Sequence, residues 1–233
     1  MAGDIFDPLI AALPGLDCLA PDLPGHGAEG YAPTVAGGAT MLDDLLCDEP
    51  TVVIGWSMGA LVGWEHVTRC GTGRIRGLVT IDMSPRPLPD WDFGLSGQTP
   101  ESARARSAAF RTDWPGAAQA MAAAMFASRD GAPGLSRAAA ATRIAAQNPV
   151  MMVPFWDQML AADHRPTVAA LPVPCLAIHG ADSRVYPPAC ADWIAATAPR
   201  GRAVIIPGAG HAPILEAPEA TAAAITVFLK GLA

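Results

Sequence analysis

The sequence contains no C-x-x-C pair. Its five cysteines (Cys18, Cys47, Cys70, Cys175 and Cys190) are odd in number and widely dispersed. That distribution argues against a disulfide framework or a zinc site and predicts reduced thiols in a cytoplasmic protein. Long hydrophobic runs are also missing, since no apolar stretch approaches the ~18 residues that a membrane span requires. The first residues, Met1-Ala2-Gly3-Asp4, lack a basic segment leading into an apolar one, so no secretory signal is read. Basic charge is scarce as well. The net charge is -7, which argues against non-specific binding to nucleic acid. No internal repeat is found.

What the chain has is apolar mass and a regular order of elements. Its 233 residues are 51% hydrophobic, enough for one large domain or a domain with a cap. The most informative stretch is Val52-Val53-Ile54-Gly55-Trp56-Ser57-Met58-Gly59-Ala60-Leu61. A β-branched run predicts a buried strand over residues 51–54, and residues 60–70 read as a helix. Between them lies a G-x-S-x-G turn, so strand, turn and helix form a nucleophile elbow. Such a turn lifts the Ser57 hydroxyl off the sheet edge. Gly55 and Gly59, without Cβ atoms, are expected to let strand and helix cross closely. The Met58 amide, at the helix N-terminus, is the expected donor to an oxyanion.

Upstream, residues 4–13 show helical spacing, stopped by Pro14-Gly15. A short strand is expected at residues 18–20, then a Pro- and Gly-set loop at 21–27. A second helix is marked by Met41, Leu42, Leu45 and Leu46, and a further strand by residues 75–81, with Asp82 at its end. Over residues 84–171 the texture changes. Prolines cluster at 85, 87 and 89, and helix-like segments follow near 100–111, 115–128, 135–147 and 150–162. This predicts a helical cap inserted into a core made of residues 1–83 and 172–233. Alternation then resumes with a strand at 175–179, a helix at 188–197, a strand at 203–206 and a helix at 218–232. Repeated strand–helix units imply an α/β fold, a mostly parallel sheet with helices on both faces. Its active site is expected beyond the carboxyl ends of the strands.

Three polar residues follow predicted strands: Ser57, Asp182 and His211. Their order is that of a Ser-Asp-His triad on an α/β-hydrolase sheet. A serine hydroxyl needs a base to become a useful nucleophile. His211 can accept its proton near neutral pH and pass it to the leaving group. Asp182 is the expected acid that fixes the imidazole tautomer. Asp82 and Asp163 compete for that role, and Asp82 is the better placed because it follows the strand after the elbow. No metal and no cofactor is called for.

Four motifs carry a resemblance: Asp22-Leu23-Pro24-Gly25-His26-Gly27, Gly55-Trp56-Ser57-Met58-Gly59, His179-Gly180-Ala181-Asp182 and Gly210-His211-Ala212-Pro213. In this order they resemble the α/β-hydrolase fold esterases with a helical cap, over nearly the whole chain. The Gly-Trp-Ser and Gly-His-Ala-Pro segments are similar to the pimeloyl-acyl-carrier-protein methyl ester esterases of biotin synthesis. The resemblance implies a small-molecule ester substrate, cleaved through an acyl-enzyme. Lactone or C–C bond hydrolysis on the same triad is an alternative, as is an impaired, non-catalytic ligand-binding protein. The substrate pocket is expected to use Trp56 beside the nucleophile and Phe126, Met152 and Trp156 from the cap. His26 is expected to hold its loop turn.

Residues 84–171 carry a net +1 and the remainder -8. With Arg104, Arg106 and Arg111 on one predicted helix, such a cap would suit an acidic acyl-carrier protein. In the family an upstream strand ends in a His-Gly loop that supplies a second oxyanion donor. No room for that strand and loop is found before Asp4, which implies an N-terminally truncated product or a misassigned start.

Overall fold

A computed structural model of the chain describes residues 1–89, 93–96 and 99–232. A 3-10 turn, Gly3–Phe6, leads into the short helix α1, Asp7–Ala11. Helix α2 is Val35–Leu45, strand β1 Thr51–Trp56, helix α3 Met58–Cys70 and strand β2 Ile75–Ile81. Between β2 and the next long strand lie α4 (Pro100–Thr112), α5 (Trp114–Met125), a hairpin of β3 (Gly131–Ala132) and β4 (Leu135–Ser136), α6 (Arg137–Ala145), α7 (Pro149–Ala161) and α8 (Arg165–Ala169). The chain then runs through β5 (Cys175–Gly180), α9 (Ala189–Thr197), β6 (Gly201–Ile206), α10 (Pro213–Glu216) and α11 (Pro218–Lys230).

The four long strands form one parallel sheet in the order β1-β2-β5-β6. Its two faces can be read from alternate residues. Val79, Ile81, Leu176 and Ile178 pack with Leu9, Ile225 and Phe228 from α1 and α11. Leu78, Cys175 and Ala177 pack with Leu61, Trp64 and Ile194 from α3 and α9. Helices therefore cover both faces, and β5 is buried along its whole length, as a central parallel strand requires. The segment between β2 and β5 joins both layers. Its Ala122, Met125 and Phe126 lie in the first cluster, and its Phe110, Phe155 and Met159 in the second. Among the described residues it thus shares the core of the sheet.

The insertion's helices start where their side chains can cap them. Thr99 makes a capping box with Ser102, while Asp113, Ser136 and Asn148 each accept an amide of the first turn of α5, α6 and α7. Such caps stabilise a helix by about 1 kcal/mol each.

Two expectations change. Residues 18–20 form no strand. A strand needs a ladder, and among the described residues β1 pairs only with β2, leaving its outer edge without a strand neighbour. Residues 18–20 and β1 instead line the same cavity. The expected helix at 4–13 divides into a 3-10 turn and α1, with Pro8 in the first turn of α1. Helix α8 and the β3–β4 hairpin were not legible, because each is too short to show periodicity. All five cysteines are free, and no described helix is long and apolar enough to cross a membrane.

Candidate active site

The elbow is built by β1 and α3. Ser57, between them, has φ 52 and ψ -121, a left-handed conformation that a side-chain-bearing residue adopts only when its surroundings impose it. Its N–H donates to Ile81 O on β2 (2.9 Å). Gly55 is required by close approach, since a Cβ there would lie 2.4 Å from Gly59 O. At Gly59 a Cβ would meet nothing within 4 Å, so the crossing depends on Gly55 and the expected role for Gly59 is not needed. Serine at a helix start normally caps it. Here Ser57 makes no side-chain cap bond because its hydroxyl turns to histidine. Met58, first in α3, has no intrahelical acceptor for its amide and lines the cavity with Ser57.

His211 is held at both ring nitrogens. Nε2 lies 3.0 Å from Ser57 Oγ and Nδ1 2.7 Å from Asp82 Oδ1. An ionised Asp82 can only accept, so the proton belongs on Nδ1, leaving Nε2 to accept from the Ser57 hydroxyl. The backbone of His211 is fixed as well. Its N–H donates to Met125 O (2.9 Å), and Trp56 Nε1–H donates to its carbonyl (2.6 Å).

Asp82 directly follows β2 with φ 47 and is fully buried. Its Oδ2 accepts the Gly180 N–H (3.0 Å) and its Oδ1 the Ser183 hydroxyl (2.8 Å). Burial pushes its pKa up. The hydrogen bond and charge of His211, with His179 and the Gly180 amide, outweigh that and hold the carboxyl below its usual range. Asp82 is therefore ionised and oriented.

Asp182, the acid expected from sequence, is exposed, and its side chain makes no hydrogen bond or ion pair with any described residue. Its backbone N–H is what anchors it, donating to Ala209 O (2.9 Å). The structure brings Asp82, the rival carboxylate, rather than Asp182 to His211, and the His179-Gly180-Ala181-Asp182-Ser183 loop contributes donors to it, from Gly180 and Ser183. Asp163, the other competitor, pairs with Arg165.

A cavity of about 890 Å³ opens onto Ser57, Met58 and His211. Trp56, Met152 and Trp156 line it, as do Met121, Met125 and Met159. Phe126 does not. It is fully buried, in the same hydrophobic cluster as Ile214 and Leu215, and the structure does not bring it to the cavity with the other expected pocket residues. The backbone after Phe126 is already pressed against Gly210, whose Cβ position lies 2.8 Å from the Phe126 carbonyl carbon. His26 is buried with Nδ1 3.4 Å from Pro24 O, and its ring meets Phe155 edge-on. It also lines the cavity.

Among the described residues, one group could offer three ligands to a metal: Asp43, His66 and Cys70. Arg74 and His66 already occupy the Asp43 carboxylate, so a cation there would meet a guanidinium. Ser183 and Gly180, which donate to Asp82, and Tyr186, which lines the cavity with its ring centroid 6.1 Å from that of His211, were not legible as site residues. They become so only once Asp82 is seen to turn towards the β5 loop.

Comparison with known proteins agrees with this fold. The model of the alpha/beta hydrolase family matches residues 2–224. A pimeloyl-[acyl-carrier protein] methyl ester esterase of Aromatoleum aromaticum is 30% identical over 242 residues, covering 97% of this chain and 93% of the relative. The esterase of the same name from Edwardsiella ictaluri is 29% identical over 214 residues, covering 90% and 81%. Among solved structures, an esterase from Exiguobacterium antarcticum superposes with a TM-score of 0.88 at 16% identity, covering 98% of this chain and 88% of its own. The enol-lactonase of Burkholderia xenovorans gives 0.80 at 23%, with 98% and 87% covered. At these identities the two structures speak for the fold alone.

Proposed function

The chain belongs to the alpha/beta hydrolase family, and from that premise we propose that Ser57, His211 and Asp82 hydrolyse a carboxylic ester through an acyl-enzyme. The observation that carries the reading is the unbroken line of hydrogen bonds from the Ser57 hydroxyl through both nitrogens of His211 to Asp82.

With the ester carbonyl over Ser57, Oγ attacks the carbon as its proton passes to His211 Nε2. The tetrahedral oxyanion is met by the Met58 N–H, whose value lies in being aimed before charge develops. Asp82, already ionised, stabilises the imidazolium. The C–O bond to the alcohol breaks, and His211 returns the proton to the leaving oxygen. Water then takes the alcohol's place, gives its proton to Nε2 and attacks the acyl carbon. The acid departs and Ser57 is regenerated.

The names of the relatives point to an acyl methyl ester carried on acyl-carrier protein as the substrate. The cavity suits the acyl part, since its lining is mainly apolar and rich in adaptable methionine. The exposed Arg104 and Arg106 on α4 suit an acidic carrier at the cap, whereas Arg111 is paired with Asp157. Residues 84–171 act in this reading as the cap over a core of 1–83 and 172–233.

The test is turnover of a short-chain p-nitrophenyl ester and of a pimeloyl methyl ester, with Ser57→Ala as control. Turnover that disappears in the control supports the proposal. Equal rates in the two proteins, or no turnover of any ester by the native chain, would count against it.

A further inference from the structure

We infer that Glu216 is a positioning residue for His211, and that it ties the catalytic loop to the end of the helical insertion. The inference rests on the proposed role of His211. Glu216 closes α10 and its carboxylate folds back over the loop before it. Oε2 accepts the N–H groups of Gly210 (2.8 Å) and Ala212 (3.3 Å), the two residues that flank His211. Oε1 reaches across to the N–H of Ala127 (2.7 Å), just beyond α5. One side chain thus holds three amides from two segments far apart in the chain.

The two segments are in backbone contact. A Cβ at Gly210 would lie 2.5 Å from Ala127 N, and the His211 N–H donates to Met125 O. From the other side, Arg184 Nη2 donates to Ala127 O (2.8 Å). Arg184 adjoins Ser183, which donates to Asp82. The peptide at Ala127 is therefore gripped between the loop that carries His211 and the loop that orients Asp82. Glu216 does not line the cavity, so its effect on the reaction must pass through His211. Hydrogen bonds to an ionised acceptor are about twice as strong as neutral ones. Without them, the amides on both sides of His211 lose their common anchor. Small displacements of a reacting group carry large rate penalties, about 10²-fold for 1 Å.

The experiment compares Glu216→Ala and Glu216→Gln with the native chain. It reads kcat and KM on the p-nitrophenyl ester, melting temperature, and the low-field proton resonance of His211 Nδ1–H. Glu216→Ala is expected to lower kcat roughly 10- to 100-fold with KM within about threefold, and to broaden or shift the resonance. Glu216→Gln keeps one acceptor oxygen and should recover part of both. A purely structural role would lower the melting temperature and leave kcat and the resonance of the folded variants at native values, which would overturn the inference. Should Glu216→Ala fail to fold, Glu216→Gln decides on the same readouts. Absence of Ser57-dependent turnover in the native chain would remove the proposed function, while the resonance would still test the clamp.

Discussion

Trp56 shows how much a single side chain does here. It was legible as a residue beside the nucleophile and so as a pocket wall, which it is. Its indole N–H, however, donates to the His211 carbonyl across 155 positions of sequence, a contact that no local pattern announces. Replacing it with phenylalanine keeps the ring and removes the donor. A neutral hydrogen bond contributes about 0.5–1.5 kcal/mol, so Trp56→Phe should lower kcat by roughly two- to tenfold. Steady-state kinetics checks this, and an unchanged kcat would mean that His211 is held without it. Which carboxylate lies beside His211 was not legible for a related reason. Asp82 and Asp182 both follow strands that end at the same edge, and spacing along the chain cannot say which one turns towards His211. The left-handed backbone of Asp82 (φ 47) and its complete burial decide it, and neither is written in composition or periodicity.

Among elements, the crossing of β1 and α3 was the most legible, because a buried strand, a turn with glycines and a helix each leave a strong local signal. The structure separates the two glycines, which the motif treats alike. Gly55→Ala would drive a methyl group to 2.4 Å from Gly59 O, against backbone that cannot swing aside. Overpacking of that kind costs about 1–3 kcal/mol or more, so a clear fall in the urea midpoint is expected. Gly59→Ala meets open space and should leave the midpoint near the native value. The reverse order would contradict the packing described. The strand expected at 18–20 failed for a tertiary reason. Local propensity for an extended chain is there, but among the described residues the outer edge of β1 has no neighbouring strand for a ladder to continue through. Alternate amides of β1 on that edge should exchange with solvent faster than those bonded to β2, which hydrogen exchange resolved by residue would show.

The whole molecule joins its sheet and its insertion through two shared hydrophobic clusters. The sequence separated the two by texture, as proline-punctuated helices against strand–helix alternation. It could not show that Phe126 or Phe155 would serve the common core. Buried groups that resist protonation shape the response of this assembly to acid, His26 and His164 among them, together with His179 and the Met1 amine, whose pKa values burial also lowers. Burial holds the pKa of His26 and of His164 down to about 4, from an ordinary value of 6.5. Above the ordinary value both are neutral, folded or unfolded. As the pH falls from about 6.5 towards 4, the unfolded chain takes up protons that the folded chain refuses, and stability is lost. Each histidine accounts for a loss on the order of 3 kcal/mol over that window. The urea midpoint should therefore drop between pH 7 and pH 4.5, and less steeply in His164→Gln. A midpoint independent of pH over that range would contradict the burial of these rings. Asp82 adds a loss in the same direction at lower pH, as the pH falls through its depressed pKa.

The most direct measurement is kcat/KM for Asp82→Asn and Asp182→Asn, side by side on the same p-nitrophenyl ester. Losing the acid that orients a catalytic histidine lowers turnover by about 10⁴-fold. A collapse on that scale for Asp82→Asn, with Asp182→Asn within about twofold of the native chain, is the predicted result. A native rate for Asp82→Asn beside a collapsed Asp182→Asn would contradict the triad outright.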